Sequence, residues 1–273
     1  MESSSSVVQA LPISSPPIAM ALPADGSFGA SATRFTVGSV ISRTFSVWKK
    51  NFLTFASISL VLHSPMLVST LVLGAPGSSL RNEVIRGLMS VVGVVLTFVL
   101  SGALTFGVFQ SLSGATARFG EMVNAGFSRF WRILSVSLLI GLLLIPAMLA
   151  LVIPAFFVFS AYWVAVPAVV AEPVSVTSAL SRSAQLTRGH RLTVFLVALV
   201  LAAIAMGIAA VIGALGVGAM LSTTSGAIAF QFAIQLASAV AGSLTASAPA
   251  VGYHDLRVLK EGASTEQLAA VFA

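Results

Sequence analysis

Four long stretches without a charged side chain run through the chain. No Asp, Glu, Lys or Arg occurs in residues 51–80, 87–117, 133–171 and 192–254, which are 30, 31, 39 and 63 residues long. A helix needs about 20 apolar residues to cross the hydrocarbon core of a bilayer. The first two stretches therefore predict one membrane-spanning helix each, and the last two are long enough for two spans each.

Turn signals inside these stretches position the spans. We predict six spans in three hairpins, at about 52–73, 88–111, 133–152, 155–171, 192–215 and 227–249. The apolar runs are continuous rather than alternating, which favours helices over a barrel. The chain is thus predicted to be an all-α polytopic membrane protein, with its membrane domain over 34–262. Residues 1–33, rich in Ser, Pro and Ala, are predicted to be a disordered tail, and 263–273 a cytoplasmic tail.

The polar segments ahead of the odd-numbered spans share one pattern. Apolar residues recur at steps of three and four over 37–48, 119–131 and 176–186, with Arg or Lys on the opposite side. Each segment is expected to form an amphipathic helix in the membrane interface, attracted to anionic lipid headgroups. Trp48 and Trp131 are expected at the membrane entrance, where an indole ring is favoured.

The positive charges fall mainly on one side of this topology. Only Arg81 and Arg86 lie on the side away from the termini. The other 12 cations, which we call the basic collar, are Arg34, Arg43, Lys49, Lys50, Arg118, Arg129, Arg132, Arg182, Arg188, Arg191, Arg257 and Lys260. Because cytoplasmic loops are enriched in Lys and Arg, both termini are predicted to be cytoplasmic. An odd number of spans would weaken this asymmetry, so the charge bias also supports six.

Composition narrows the classes of function. Charged residues make up 8% of the chain and hydrophobic residues 57%, against about 25% charged in a soluble domain, so a water-soluble fold is excluded. The net charge of +6 is scattered between spans, so nucleic acid is not an expected partner. The sequence has no Cys, no HExxH motif and no close carboxylate pair within a span. We therefore predict no metal, no cofactor and no enzymatic activity.

Two motifs resemble those of a bacterial membrane-protein family. Ala171-Glu172-Pro173 is followed by ALSRSAQLTRGHR over 179–191, and residues 253–262 read YHDLRVLKEG. With the entry segment 35–52, these resemble YciC-type proteins, and are similar to the membrane domain fused to some glycerophosphodiester phosphodiesterases, over about 34–270. The resemblance implies a six-span domain of the bacterial inner membrane with poorly defined molecular function. Beside six spans, 273 residues leave no room for a phosphodiesterase domain, so that activity is not expected.

Polar residues within the spans form one group of candidate sites. His63 is an ionisable side chain well inside a span, where such residues mark functional sites by default. The alternative is a neutral His63 hydrogen-bonded to a neighbouring helix beside the kink at Pro65. Gln231 and Gln235 belong to a polar seam on span six that either lines a path through the membrane or packs between helices.

The second candidate group lies in the collar and consists of Glu172, Arg182, Arg188, Arg191 and Arg257. The arginines could hold the headgroup of an anionic lipid, since a guanidinium binds phosphate well. In the structural alternative, Glu172 pairs with one of them and locks the cytoplasmic face.

We therefore predict a non-catalytic inner-membrane protein that acts in envelope or lipid homeostasis or as a membrane scaffold. Its expected partners are membrane lipids, with a partner membrane protein or a homo-oligomer left open. A component of a small-solute or lipid transporter is the alternative.

Overall fold

The computed structural model describes residues 35–74, 79–150 and 152–271, and this part is mostly α-helical and contains no strand. The predicted tail over 1–33 lies outside the described residues. The helices are α1 (Val37–Lys50), α2 (Phe52–Leu73), α3 (Leu80–Leu112), α4 (Phe119–Ser128), α5 (Phe130–Ala150), α6 (Val152–Tyr162), α7 (Ala165–Ala171), α8 (Val176–Thr187), α9 (Arg191–Ser222) and α10 (Thr224–Val271).

Six segments of the described chain are long and apolar enough to cross a membrane, which confirms the predicted all-α, six-span architecture. In chain order these spans lie in α2, in α3, in α5, in α6 together with α7, in α9 and in α10. Consecutive spans pack as hairpins, and α10 also contacts α2, α3 and the polar helices α1 and α8. Span six is therefore the element around which the others assemble.

The second span begins earlier than its apolar run. We predicted its start near residue 88, but α3 begins at Leu80 because Ser79 caps it, accepting a hydrogen bond from the Asn82 amide at 3.3 Å. Arg86 then donates to the carbonyl of Gly74, at the end of α2, over 2.9 Å. Charged residues that were expected in a loop thus lie in a helix and satisfy backbone groups of the hairpin.

Span four is broken in its middle. Helix α6 ends at Tyr162 and α7 starts at Ala165, with Trp163 and Val164 between them. Pro167 explains the break, because its nitrogen cannot donate to the carbonyl of Trp163 and its ring clashes there in a continuous helix. In the first turn of α7 the same proline is tolerated, since the N–H groups of a first turn lack helical partners.

The three predicted amphipathic segments are helices α1, α4 and α8. Their apolar faces are buried in the protein: Val40 packs from α1, Met122 from α4 and Leu186 from α8. Protein therefore covers these faces, and the location of the three helices in the membrane interface stays a prediction. Helices α3 and α4 pack closely at Gly126, where an added Cβ would lie 2.4 Å from the carbonyl oxygen of Val99.

Burial divides the bundle into two halves. The collar half contains α3 from Val99, α9 as far as Leu201 and α10 from Ala239, and these parts supply most of the buried side chains of those helices. In the remaining parts of α3, α9 and α10 no described side chain is buried. These parts form the far half, together with the C-terminal ends of α2 and α5, which contain Thr70 and Leu149. The core therefore sits next to the basic collar.

Candidate functional site

Five side chains from three elements form a charged cluster, which we call the collar cluster: Glu172, Arg182, Tyr253, Arg257 and Glu261. Glu172 is the residue at which α7 ends, Arg182 lies on α8, and the other three lie on α10. Nε of Arg182 donates to Glu172 over 3.2 Å, and its Nη1 donates to Glu261. Arg257 donates to Glu261 over 3.1 Å, and the hydroxyl of Tyr253 donates to Glu172. The cluster fastens α7 and α8 to α10.

The carboxylates of the collar cluster stabilise the positive charge of Arg182 and take up its hydrogen-bond donors. The hydrogen bond to Glu261 raises the pKa of Arg182, burial opposes this, and the negative charge of Glu172 adds to the rise. Two carboxylates already satisfy this guanidinium, so a lipid phosphate would have to displace them. This geometry agrees with the structural alternative, in which Glu172 pairs with an arginine of the collar.

A second ion pair joins α1 to α10. Arg43 and Asp255 form a salt bridge, Asp255 is buried, and Nδ1 of His254 lies 3.3 Å from the same carboxylate. Sequence analysis missed this pair because α1 and α10 are some 200 residues apart, and only packing brings them together. The available signal was that Asp255 directly ends the longest uncharged stretch of the chain.

Lys260 has a different kind of partner. Its Nζ donates to the carbonyls of Gln185 and Arg188 over 2.6 and 2.9 Å, at the C-terminal end of α8. The last carbonyls of a helix lack helical donors and carry partial negative charge, so a cation is stabilising there.

Two arginines of the collar lie against aromatic rings. The guanidinium of Arg191 is 5.7 Å from the centre of the Phe157 ring, and that of Arg129 is 5.9 Å from the centre of Phe106. Nε of Arg191 is buried and has no hydrogen-bond partner among the described residues. Burial, together with the positive charge of Arg132, lowers the pKa of Arg129.

Apart from Lys260, which donates to backbone carbonyls, four collar cations are exposed and have no ion pair within the described part of the chain. We call Lys49, Lys50, Arg132 and Arg188 the unpaired cations. They stand at the entrances of the odd-numbered spans. The collar therefore contains cations that hold the fold together and cations that face outward.

Exposed apolar side chains adjoin each group of unpaired cations. Leu53 follows Lys49 and Lys50 and is 79% exposed, Trp131 precedes Arg132 and is 75% exposed, and Leu192, near Arg188, is 63% exposed. Trp131 is thus placed as expected for a membrane entrance. Trp48 also lies directly before a span, but it is half-buried and its indole N–H donates to Ser243 over 2.8 Å.

His63 interacts within its own helix. Its Nδ1 lies 2.8 Å from the carbonyl oxygen of Ser59, one turn earlier in α2. This contact differs from the predicted alternative, in which His63 is hydrogen-bonded to a neighbouring helix. Helix α2 continues through Pro65, and the hydroxyl of Ser64 donates over 2.7 Å to the carbonyl of Val61, which the proline leaves without its amide donor.

The polar seam of span six serves mainly in packing. Nε2 of Gln235 donates to Thr70, and the hydroxyl of Ser59 donates to the carbonyl of Ala239, so both contacts join α10 to α2. Gln231 is half-buried without a hydrogen bond among the described residues, and Oε1 of Gln235 is buried without a partner. In the described part of the chain, no three His, Asp or Glu side chains come together as a metal-ligand set.

The family model of the domain of unknown function DUF7847 matches residues 17–256, and the chain belongs to that family. The matched range contains Glu172, Arg182 and Tyr253, and it ends immediately before Arg257. No curated protein and no solved structure matches the chain. The resemblance to YciC-type proteins stays a prediction.

Proposed function

We propose that this member of the DUF7847 family is a non-catalytic integral membrane protein that binds anionic lipid headgroups through its unpaired cations. Its proposed place is the bacterial inner membrane, with the collar and both termini in the cytoplasm. Its proposed role is in lipid homeostasis or as a membrane scaffold. The resemblance to YciC-type proteins and the one-sided charge distribution support that placement.

One observation carries the proposal, namely the division of the collar into paired and unpaired cations. The carboxylates of Glu172, Asp255 and Glu261 are engaged by Arg43, Arg182 and Arg257. The unpaired cations Lys49, Lys50, Arg132 and Arg188 are exposed and have no carboxylate partner among the described residues. A basic residue near an anionic membrane surface contributes about 1 kcal/mol to lipid attraction.

The neighbouring apolar residues give these cations the chemistry of a lipid boundary. At each entrance a charge that suits a phosphate is adjacent to a side chain that suits an acyl chain, such as Leu53, Trp131 or Leu192. A soluble anionic ligand would not need the second feature. The arrangement therefore favours a lipid headgroup over a free anion.

A titration of the purified full-length protein in detergent with phosphatidylglycerol and phosphatidylcholine tests the proposal. We expect the variant with Lys49, Lys50, Arg132 and Arg188 all changed to Gln to bind phosphatidylglycerol at least tenfold more weakly, which is about 1.4 kcal/mol. Affinity for phosphatidylcholine should change little. The matched control is Arg81→Gln, which removes an exposed cation from the other end of the bundle. Unchanged affinity of the fourfold variant for phosphatidylglycerol would overturn the proposal.

A transporter component is the second candidate, and the break in span four favours it. Discontinuous spans often form the binding sites of transporters, and here Trp163 and Val164 separate α6 from α7. The chain has no Cys, so single Cys variants at Gln231, Ser238 and Thr245 can be labelled directly. Reaction of these positions with a water-soluble maleimide in intact membranes would favour a polar path, and uniform protection would count against it.

A further inference from the structure

A groove between α9 and α10 lies at mid-depth of spans five and six. Its volume is about 170 Å³, and its walls are mostly methyl groups of Ala and Ile. The lining residues are Ala205, Ala209 and Ile212 on α9, with Ala237, Ser238, Ala241 and Thr245 among those on α10. The groove is partly open at its side, and Ala209 and Ser238 are exposed.

The chemistry of the lining suits a hydrocarbon. No charged residue lines the groove, and the hydroxyl of Thr245 is occupied by donating to the carbonyl of Gly242 over 3.1 Å. An apolar cavity of about 150 Å³ in a protein interior stays dry and accepts a small hydrocarbon. The space is therefore large enough for a segment of an acyl chain, and its polar side chains are limited to Ser238 and Thr245.

The length of the groove distinguishes an acyl chain from a helix. From Ala205 to Ile212 the wall on α9 rises by about 10 Å, at 1.5 Å per residue. A transmembrane helix of a second copy or a partner would need a contact surface along much of the roughly 30 Å hydrocarbon core. A short recess at mid-bilayer depth fits the narrower chain of a lipid.

Trp163 marks the collar side of the groove. Gly252 follows Thr245 by seven residues and so lies on the same face of α10. An added Cβ on Gly252 would lie 2.4 Å from the indole ring of Trp163, so this ring covers the face that lines the groove further along α10. The bulky residue in the break of span four thus separates the groove from the collar cluster.

We propose that the groove between α9 and α10 binds a segment of a membrane-lipid acyl chain, whose run toward the collar is stopped by Trp163. This inference adds a second lipid-binding site to the proposed function, and it rests on that proposal because both assume that lipid is the ligand. It differs in being indifferent to the headgroup, because its walls carry no charge.

Photo-crosslinking of the full-length protein in bilayers tests the site. The probes are phosphatidylcholine and phosphatidylglycerol, each with a diazirine halfway along one acyl chain, and labelled peptides are mapped by mass spectrometry. We expect labelling of 205–212 and 234–245 by both lipids, at least threefold above that of the exposed face of α5 at Leu142 and Leu149.

Two matched substitutions on α10 sharpen the test. Ala241→Leu fills the groove and should lower groove labelling at least threefold for both lipids, whereas Ala233→Leu, at an exposed position outside the groove, should leave it unchanged. A thermal unfolding midpoint close to that of the wild type verifies that each variant is folded. Ala209→Leu, which fills the groove from α9, is the second groove variant should Ala241→Leu fail to fold.

The outcomes separate this inference from the proposed function. Weaker binding of phosphatidylglycerol in the titration of the fourfold Gln variant, with groove labelling by both lipids retained, supports both. Groove labelling equal to that of α5 and insensitive to Ala241→Leu overturns the groove site while leaving headgroup binding intact. Disulfide formation between two copies of the single-Cys variant Ala209→Cys in the same bilayers would also overturn it, because it would identify a helix as the occupant.

Discussion

The collar half and the far half of the bundle both consist of apolar helices, but different kinds of contact hold the helices together in each half. In the collar half, buried side chains such as Phe55, Leu104 and Tyr253 interlock, and ion pairs join α1, α8 and α10. In the far half fewer side chains are buried, and the contacts between helices include Gln235 with Thr70 and Phe230 against Gly216. Apolar side chains alone therefore do not specify packing in this protein.

The difference has a physical reason. In lipid, apolar side chains gain little by leaving the hydrocarbon for a neighbouring helix, so association depends on close packing and polar contacts. The collar half has both, whereas the far half exposes residues such as Val91, Leu149 and Leu215. We infer that the collar half supplies the stability of the bundle and that lipid completes the far half.

The largest expected effect comes from truncating one leucine in each half. Leu104→Ala leaves a cavity in the collar half, where Leu104 is fully buried, and should lower the free energy of unfolding by about 3 kcal/mol. Leu149→Ala, at a site 85% exposed in the far half, should lower it by less than about 0.5 kcal/mol. Unfolding by SDS titration in mixed micelles measures both, and equal losses would remove the distinction between the halves.

The next effect concerns close packing within the collar half. Gly126→Ala places a methyl group 2.4 Å from the carbonyl oxygen of Val99, so α3 and α4 must separate. The expected cost is about 2 kcal/mol of unfolding free energy. Gly120→Ala on the same helix meets no atom within 4 Å and should be neutral or stabilising by up to about 1 kcal/mol, because alanine favours helix. A destabilised Gly120→Ala variant would refute this explanation.

A smaller effect is expected from the ion pair between α1 and α10. Asp255→Asn removes the charged carboxylate that Arg43 contacts on α10, and we expect a loss of about 1.5 kcal/mol, below the cost for a fully buried pair. The control is Glu121→Gln, which breaks the exposed pair with Arg118 and should cost under about 0.5 kcal/mol. The same unfolding titration compares them, and an Asp255→Asn variant as stable as Glu121→Gln would contradict the role assigned to the pair.

The smallest expected effect is a pH dependence at the collar. Burial lowers the pKa of His190, and the positive charge of Lys260 lowers it further. The unfolded chain therefore takes up this proton first, near the ordinary value of about 6.5, and the folded state loses stability as the pH falls below it. His190→Gln should lose less stability than the wild type between pH 7.5 and 5.5. Identical losses in the two proteins would show that His190 does not contribute.

The sequence predicts the parts of this structure that local physics controls. Bilayer thickness sets the length of an apolar run, so the six spans could be read directly, and the helical period located α1, α4 and α8. Tertiary contacts could not be predicted from the sequence. No pattern of residue spacing indicates that Arg43 pairs with Asp255 or that the indole of Trp48 turns inward. The early start of α3 was not predicted because the first turn of this helix carries charged residues, so an apolar run does not mark it. Ser79 caps the helix before that run begins.

The sequence predicted several residues of the candidate site, but not which of its cations form ion pairs and which remain unpaired. Glu172, Arg182 and Arg257 do come together, yet sequence could not tell that Glu261 and Tyr253 complete the collar cluster. Nor could it separate Arg188, which is exposed, from Arg182, which two carboxylates engage.

The most direct test of the account is to measure bound lipid and stability together in two variants. Native mass spectrometry counts the phosphatidylglycerol molecules retained per protein, and SDS titration gives the unfolding free energy. Arg182→Gln, in the collar cluster, should lower stability and keep the lipid count, whereas Gln at Lys49, Lys50, Arg132 and Arg188 should lower the lipid count and keep stability. A parallel change of both quantities in both variants would contradict the division of the collar into structural and lipid-binding cations.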